Sequence, residues 1–154
     1  MAAVDALARA GLVVERVSKV WPTPPMGPGG RRFANAVVAG RWDGDARGLL
    51  AVLKAVEREF GRRGGRRWGD RVLDLDLLGL GDLVVREAGL SVPHGGLAGR
   101  RFVLDPLVEV AADWRHPVLN ATARQLRARA MRPKARPFAC GPLAQSVERT
   151  PFKR

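Results

Sequence analysis

Apolar residues recur at helical spacing in some stretches of this chain and crowd together at strand spacing in others. From Ala2 to Ala10, Val4, Leu7 and Ala8 share one stripe, which predicts a short helix closed by Gly11. Leu12 to Trp21 is rich in β-branched residues (Val13, Val14, Val17, Val20) and predicts a strand, as does Phe33 to Ala39. Asp45 is placed to cap a helix from Ala46 to Phe60, and Gly61 to end it. Leu49, Val52, Leu53, Val56 and Phe60 form its apolar stripe, which leaves Lys54, Glu57 and Arg58 to a solvated face. Leu83 to Val85 reads as a short hairpin strand. Phe102 to Val108 fits helix or strand, and Pro106 interrupts either. Asn120, Ala121 and Thr122 cap a final helix that runs through Leu126 to Ala130. Beyond Arg132 the periodicity stops and prolines accumulate. The expected organisation is therefore one domain over residues 1–130 and a basic, disordered tail over 131–154.

One stretch breaks the rule that strands bury apolar side chains. Val72 to Leu78 is apolar except for Asp74 and Asp76, and its length between Gly69 and Gly79 predicts a buried strand. A side-chain period of two puts both carboxylates on one face and Leu73, Leu75 and Leu77 on the other. Like charges so close need a cationic partner. Two readings fit: pairing with the arginines nearby, or a hard divalent ion held together with phosphates.

Other stretches carry chemistry more weakly. Gly61 to Arg67 holds four arginines and three glycines, a composition that suits a polyphosphate or a nucleic-acid backbone. Its position directly before the aspartates favours the nucleotide. Pro22 to Gly30 is a proline-stiffened loop. Phe33 and Asn35 share a strand face, placing a ring beside an amide, either as core or as one wall of a heterocycle site. His94, before Gly95-Gly96, reads as a loop histidine, and His116 has no assigned role.

A net charge of +12 invites a nucleic-acid reading, but its distribution argues against one. Residues 121–154 hold nine Lys/Arg against Glu148 alone, a net of +8, so the remaining 120 residues carry only +4. The single cysteine, Cys140, excludes an internal disulfide framework, and the apolar runs are too short to span a bilayer. A cytoplasmic location is expected.

Arg67-Trp68-Gly69, Arg71 and Leu73-Asp74-Leu75-Asp76 resemble the signature of the 6-hydroxymethyl-7,8-dihydropterin pyrophosphokinases of folate biosynthesis. The resemblance extends through Val92-Pro93-His94, Arg100, Phe102 and Pro106-Leu107. Upstream it takes in Asn35 and Thr23-Pro24-Pro25-Met26-Gly27-Pro28, and it covers about Val14 to Leu126. It implies an α/β (α+β) fold, a ferredoxin-like three-layer sandwich whose mostly antiparallel sheet has helices on both faces. It also implies transfer of diphosphate from ATP to the hydroxymethyl group of the dihydropterin, with release of AMP. The metal ligands implied are Asp74 and Asp76, for two Mg2+ ions. Arg62 and Arg71 are implied as catalytic arginines. ATP would be bound by Glu57, Trp68, Arg71, Leu90, Ser91, His94 and Arg100, and the pterin by Thr23, Pro24, Met26, Phe33, Asn35, Trp68 and Phe102. A monomer without nucleic-acid or membrane partners is expected.

Two departures stand out. Asp70 occupies a position where the family has proline, and the family opens with a further strand and a Gly-Ser-Asn loop, whereas here the helix comes first. A start codon upstream of Met1 is the expectation that follows. The competing expectations are a non-catalytic, basic RNA-binding α/β module and an inactive truncated copy.

Overall fold

The computed structural model describes residues 2–23, 33–61 and 73–132. Helix α1 (Ala2–Arg9) buries Ala6 and Leu7, and Gly11 turns the chain with φ +100, a conformation that L side chains rarely adopt. Strand β1 (Val13–Val17) then pairs antiparallel with β4 (Val38–Arg41). Glu15 is extra in this ladder, and its carboxylate meets Arg41 at 2.9 Å. Gly40 lies opposite Val14, and a Cβ there would sit 2.3 Å from the Val13 carbonyl oxygen.

The expected strand Leu12–Trp21 is in fact two. Ser18 interrupts it, yet preserves contact with the partner: its N–H donates to Val37 O at 2.9 Å and its Oγ accepts from Val37 N at 2.9 Å. The hydroxyl thus substitutes for a backbone carbonyl, and ladder pairing resumes in β2 (Trp21–Thr23) with β3 (Phe33–Asn35). The expected strand Phe33–Ala39 divides at the same place, into β3 and β4.

Helix α2 (Ala46–Glu59) begins as expected, with Asp45 accepting from Gly48 N at 2.7 Å, a cap worth about 1 kcal/mol. Leu49, Leu53 and Val56 form its buried stripe. The hairpin strand lies two residues later than expected, as β5 (Val85–Glu87), which pairs with β6 (Leu90–Val92) around Gly89 at φ +77. The ambiguity at Phe102–Val108 resolves as helix α3 (Arg101–Ala111), with Pro106 buried inside it. A small ladder, β7 (Arg115–His116) with β8 (Ala121–Thr122), leads into α4 (Ala123–Met131). Thr122 and Gln125 cap α4 reciprocally.

Two apolar clusters result. One joins Leu7, Leu49, Leu53, Val56, Leu77, Leu90 and Val92, and so holds α1 and α2 to the strands. The other joins Val37, Leu97, Leu104, Leu107, Val110 and Leu126 under α3 and α4. The fold is α+β with helices on two sides of antiparallel strands. Where a continuous sheet was expected, the described residues form four separate two-stranded ladders.

Candidate active site

Between the two helical layers runs Leu73–Leu80. It is not the buried strand expected, since no ladder pairing is assigned to it among the described residues. Its side chains nevertheless alternate with period two. Leu73, Leu75 and Leu77 pack into the α1/α2 cluster, Leu78 meets the α3/α4 cluster, and Asp74 and Asp76 are exposed. Three apolar anchors on one side thus turn two carboxylates to the other. Exposure also lowers the desolvation cost that a buried pair would carry.

Helix α2 holds this segment by polar contacts as well. Glu57 Oε1 accepts from Leu75 N at 2.7 Å and from Lys54 Nζ at 2.8 Å, and Lys54 Nζ donates to Leu75 O at 3.2 Å. The expectation of a solvated face therefore fails for Glu57, which is fully buried, and for Lys54, which is half-buried. Helical spacing put Glu57 off the main stripe but did not reveal that a second chain segment covers that flank. Glu57, expected to bind ATP, spends this oxygen on the backbone between the two aspartates.

The segment separates two cavities of about 370 and 410 Å³. Asn35, Asp74, Asp76 and Phe102 line the first, among mostly apolar neighbours that include Trp114. Lys54, Asp76, Leu90, Ser91, His94 and Gly96 line the second. Asp76 borders both.

On the first cavity, Asn35 Nδ2 donates to Thr23 Oγ1 at 2.6 Å across the β2–β3 ladder, in which Thr23 lies opposite Phe33. Two of the residues expected to bind a pterin are therefore bonded to each other. Trp114, which no motif in the sequence marks, donates from Nε1 to Gly81 O at 3.0 Å. Its ring lies where a Cβ on Gly79 would fall, 2.8 Å away, so the glycine after the aspartates makes room for an indole.

On the second cavity, the Val92–Pro93 peptide is cis and His94 N donates to Leu78 O at 2.9 Å, which ties the histidine loop to the aspartate segment. His94 Nδ1 accepts from Gly96 N at 3.1 Å, so the neutral ring carries its proton on Nε2. That nitrogen lies 4.0 Å from Asp76 Oδ2. Ser91 Oγ is held by Arg86 at 2.6 Å, and Arg86 also donates to Pro93 O at 3.1 Å. The register Arg86↔Ser91 makes that contact inevitable, and an expected strand ending at Val85 concealed it. Leu90 is buried beneath. The Arg100 guanidinium folds over Gly96, which lines the second cavity, and stands 5.9 Å from the centre of the ring of Phe102, which lines the first.

Pro24, Met26, Arg62, Trp68, Asp70 and Arg71 lie outside the described residues, and so does the tail beyond Arg132. Phe33 is placed in β3 by its backbone pairing with Thr23.

The donor set suits a hard divalent ion. Asp74 and Asp76 are hard oxygen ligands, and among the described residues no cluster of three or more His, Cys, Asp or Glu forms a closed metal cage. Magnesium, which keeps waters and takes its remaining ligands from phosphate, fits such an open pair.

Residues 1–112 match the family model of 7,8-dihydro-6-hydroxymethylpterin-pyrophosphokinase. A 2-amino-4-hydroxy-6-hydroxymethyldihydropteridine pyrophosphokinase from Synechocystis sp. is 40% identical over 117 residues, 76% of this chain and 60% of that protein. The protein of the same name from Pseudomonas aeruginosa is 41% identical over 102 residues, 66% of this chain and 63% of its own. That from Aquifex aeolicus is 31% identical over 130 residues, 84% and 79% of the two chains. The chain thus spans under two thirds of the length of the first two of these relatives. With the family model covering residues 1–112 and the Aquifex protein matched over most of its length, the chain belongs to the 7,8-dihydro-6-hydroxymethylpterin-pyrophosphokinases.

Proposed function

We propose that this chain transfers the β,γ-diphosphate of ATP to the hydroxymethyl oxygen of 6-hydroxymethyl-7,8-dihydropterin. The observation that carries this reading is Asp76 on the shared wall of two cavities. A heterocycle beside Asn35 and Phe102 and a nucleotide beside Leu90, Ser91 and His94 would meet there. The first cavity is small and mainly apolar with one amide, as a flat bicyclic ring requires. The hydroxymethyl oxygen attacks the β-phosphorus, the bond from that phosphorus to the α,β-bridging oxygen breaks, and AMP leaves as the hydroxyl proton is lost.

Asp74 and Asp76 would hold two magnesium ions, which when bound neutralise phosphate oxygens and make the hydroxyl more acidic. His94 presents an Nε2–H donor beside Asp76, and Arg100 a guanidinium over Gly96. Both suit phosphate oxygens. Arg62, Arg71 and Trp68 complete the assignment from the sequence, with Thr23, Pro24, Met26 and Phe33 on the pterin side. No covalent intermediate is needed, so orientation and charge supply the catalysis. Residues 1–130 are the catalytic unit in this reading, a cytoplasmic monomer, and the basic C-terminal segment lies outside it. Two outward carboxylates beside the cavities would repel an RNA backbone, which disfavours the binding-module alternative.

The test mixes the 154-residue chain with ATP, Mg2+ and the dihydropterin and resolves the nucleotide products. AMP formed in proportion to pterin consumed supports the proposal. ADP as product, or Mg2+-dependent ATP binding that survives in Asp76→Ala, would sink it.

A further inference from the structure

We infer that Lys54 and Glu57 are positioning residues that set the aim of the two aspartates. Leu75 sits between Asp74 and Asp76, and both of its backbone polar groups are taken by these two side chains of α2. The N–H bonds to Glu57 Oε1 at 2.7 Å and the carbonyl to Lys54 Nζ at 3.2 Å. The two side chains also bond to each other at 2.8 Å, one turn apart on a helix anchored by Leu49, Leu53 and Val56. A ladder would ordinarily satisfy both groups of an internal strand residue, and none is assigned at Leu75. The Glu57–Lys54 pair does that work, and it orients the peptide planes on either side, from which the Asp74 and Asp76 side chains depart.

The cost of the arrangement argues for its use. A fully buried carboxylate loses its hydration, and an apolar residue of similar volume is often as stable at such a position. Glu57 offsets part of that penalty through Oε1, and the two donors on that oxygen, Leu75 N–H and Lys54 Nζ, border the site. Groups that orient metal ligands from behind commonly alter metal-dependent binding by about 10- to 100-fold when removed.

The inference rests on the reading of Asp74 and Asp76 as carboxylates for a metal-bound nucleotide, so its test separates the two. The full chain is titrated with α,β-methylene ATP with and without Mg2+, and exchange of the Leu75 amide is followed by NMR. The variants are Glu57→Ala, Glu57→Gln, Lys54→Met and Asp76→Asn. Glu57→Ala should exchange faster at Leu75 and lose about tenfold or more of the magnesium-dependent affinity. Glu57→Gln keeps an oxygen acceptor for Leu75 N–H and should stay within about threefold of the parent, a rescue that loss of stability alone does not produce. If Glu57→Ala does not fold, Lys54→Met carries the test with the same signature at smaller size. A magnesium increment lost in Asp76→Asn but intact in folded Glu57→Ala and Lys54→Met overturns the inference and leaves the proposed function standing. No magnesium increment in the parent chain overturns both.

Discussion

Arg127 Nε donates to Asp105 Oδ1 at 2.6 Å, joining α4 to α3 through a carboxylate that is 9% exposed. Arg101 approaches the other oxygen at 3.6 Å from a more exposed position. Removing the closer arginine strands a nearly buried charge. Arg127→Ala should therefore destabilise the fold by about 1–3 kcal/mol. Urea unfolding checks this, and a midpoint equal to that of the parent chain would contradict it. Arg127 lines neither cavity, so magnesium-dependent nucleotide binding should persist in the folded variant.

Asp76→Asn tests the shared wall of the two cavities. The side chain is exposed, and an amide of the same shape should change stability by no more than about 0.5 kcal/mol. Its effect should fall on function: at least about a tenfold loss of magnesium-dependent affinity for ATP and of AMP formation. Calorimetric titration with a parallel melting curve separates binding from folding. A variant that melts early and binds normally would count against the site.

His116 makes stability depend on pH. Burial holds its pKa below the ordinary histidine value of about 6.5, opposed by a backbone hydrogen bond and reinforced by the positive charge of Arg86. Its Nδ1 accepts from Val118 N and Leu119 N, both at 3.2 Å, which only an unprotonated nitrogen can do. The unfolded chain therefore binds this proton more readily than the folded one. The contribution to stability is complete above pH ~6.5 and drains away as pH falls from there towards the lowered folded value, at up to about 1.4 kcal/mol per pH unit. Melting temperatures between pH 7.5 and 5 should show the decline, and His116→Gln should flatten it. Parallel profiles for the two proteins would exclude His116 as the cause.

Gly40→Ala probes the approach of β1 to β4. A Cβ 2.3 Å from the Val13 carbonyl oxygen meets backbone rather than a side chain that can swing away. The ladder must open, at a cost of about 1–3 kcal/mol. Gly61→Ala meets nothing within 4 Å and pays only for its φ of +86, so Gly40→Ala should be the worse of the two in thermal melts.

The sequence made the helices readable because their signals are local. Asp45 and Thr122 cap where short-range chemistry says they should, and the Leu49–Val56 stripe faces the core. The alternation of Asp74 and Asp76 against three leucines was legible for the same reason. Strand limits were not, because Ser18 replaces a ladder carbonyl with its hydroxyl and so divides two strands at once. Glu57 was misplaced because its partner, Leu75 N, lies 18 residues away and in no repeating pattern. The hairpin slipped because a run of apolar residues, Leu83 to Val85, drew the strand forward, whereas pairing begins at Val85 and favours Gly89 as the turn. Phe102–Val108 stayed ambiguous because a proline six positions into a helix looks like a stop until the second apolar cluster is seen to enclose it.

The alternation in Leu73–Leu80 has a consequence for how this chain tolerates insertion and deletion. A slip of one residue past α2 would drive the aspartates into the cluster that now holds Leu73, Leu75 and Leu77, and would carry Leu75 away from Glu57 and Lys54. Apolar burial and polar bonding thus select the same frame independently. Substitutions along this segment can be graded in their effects, but a change in its length by one residue cannot. Natural length variation in descendants of this sequence should therefore spare these eight positions and collect outside them.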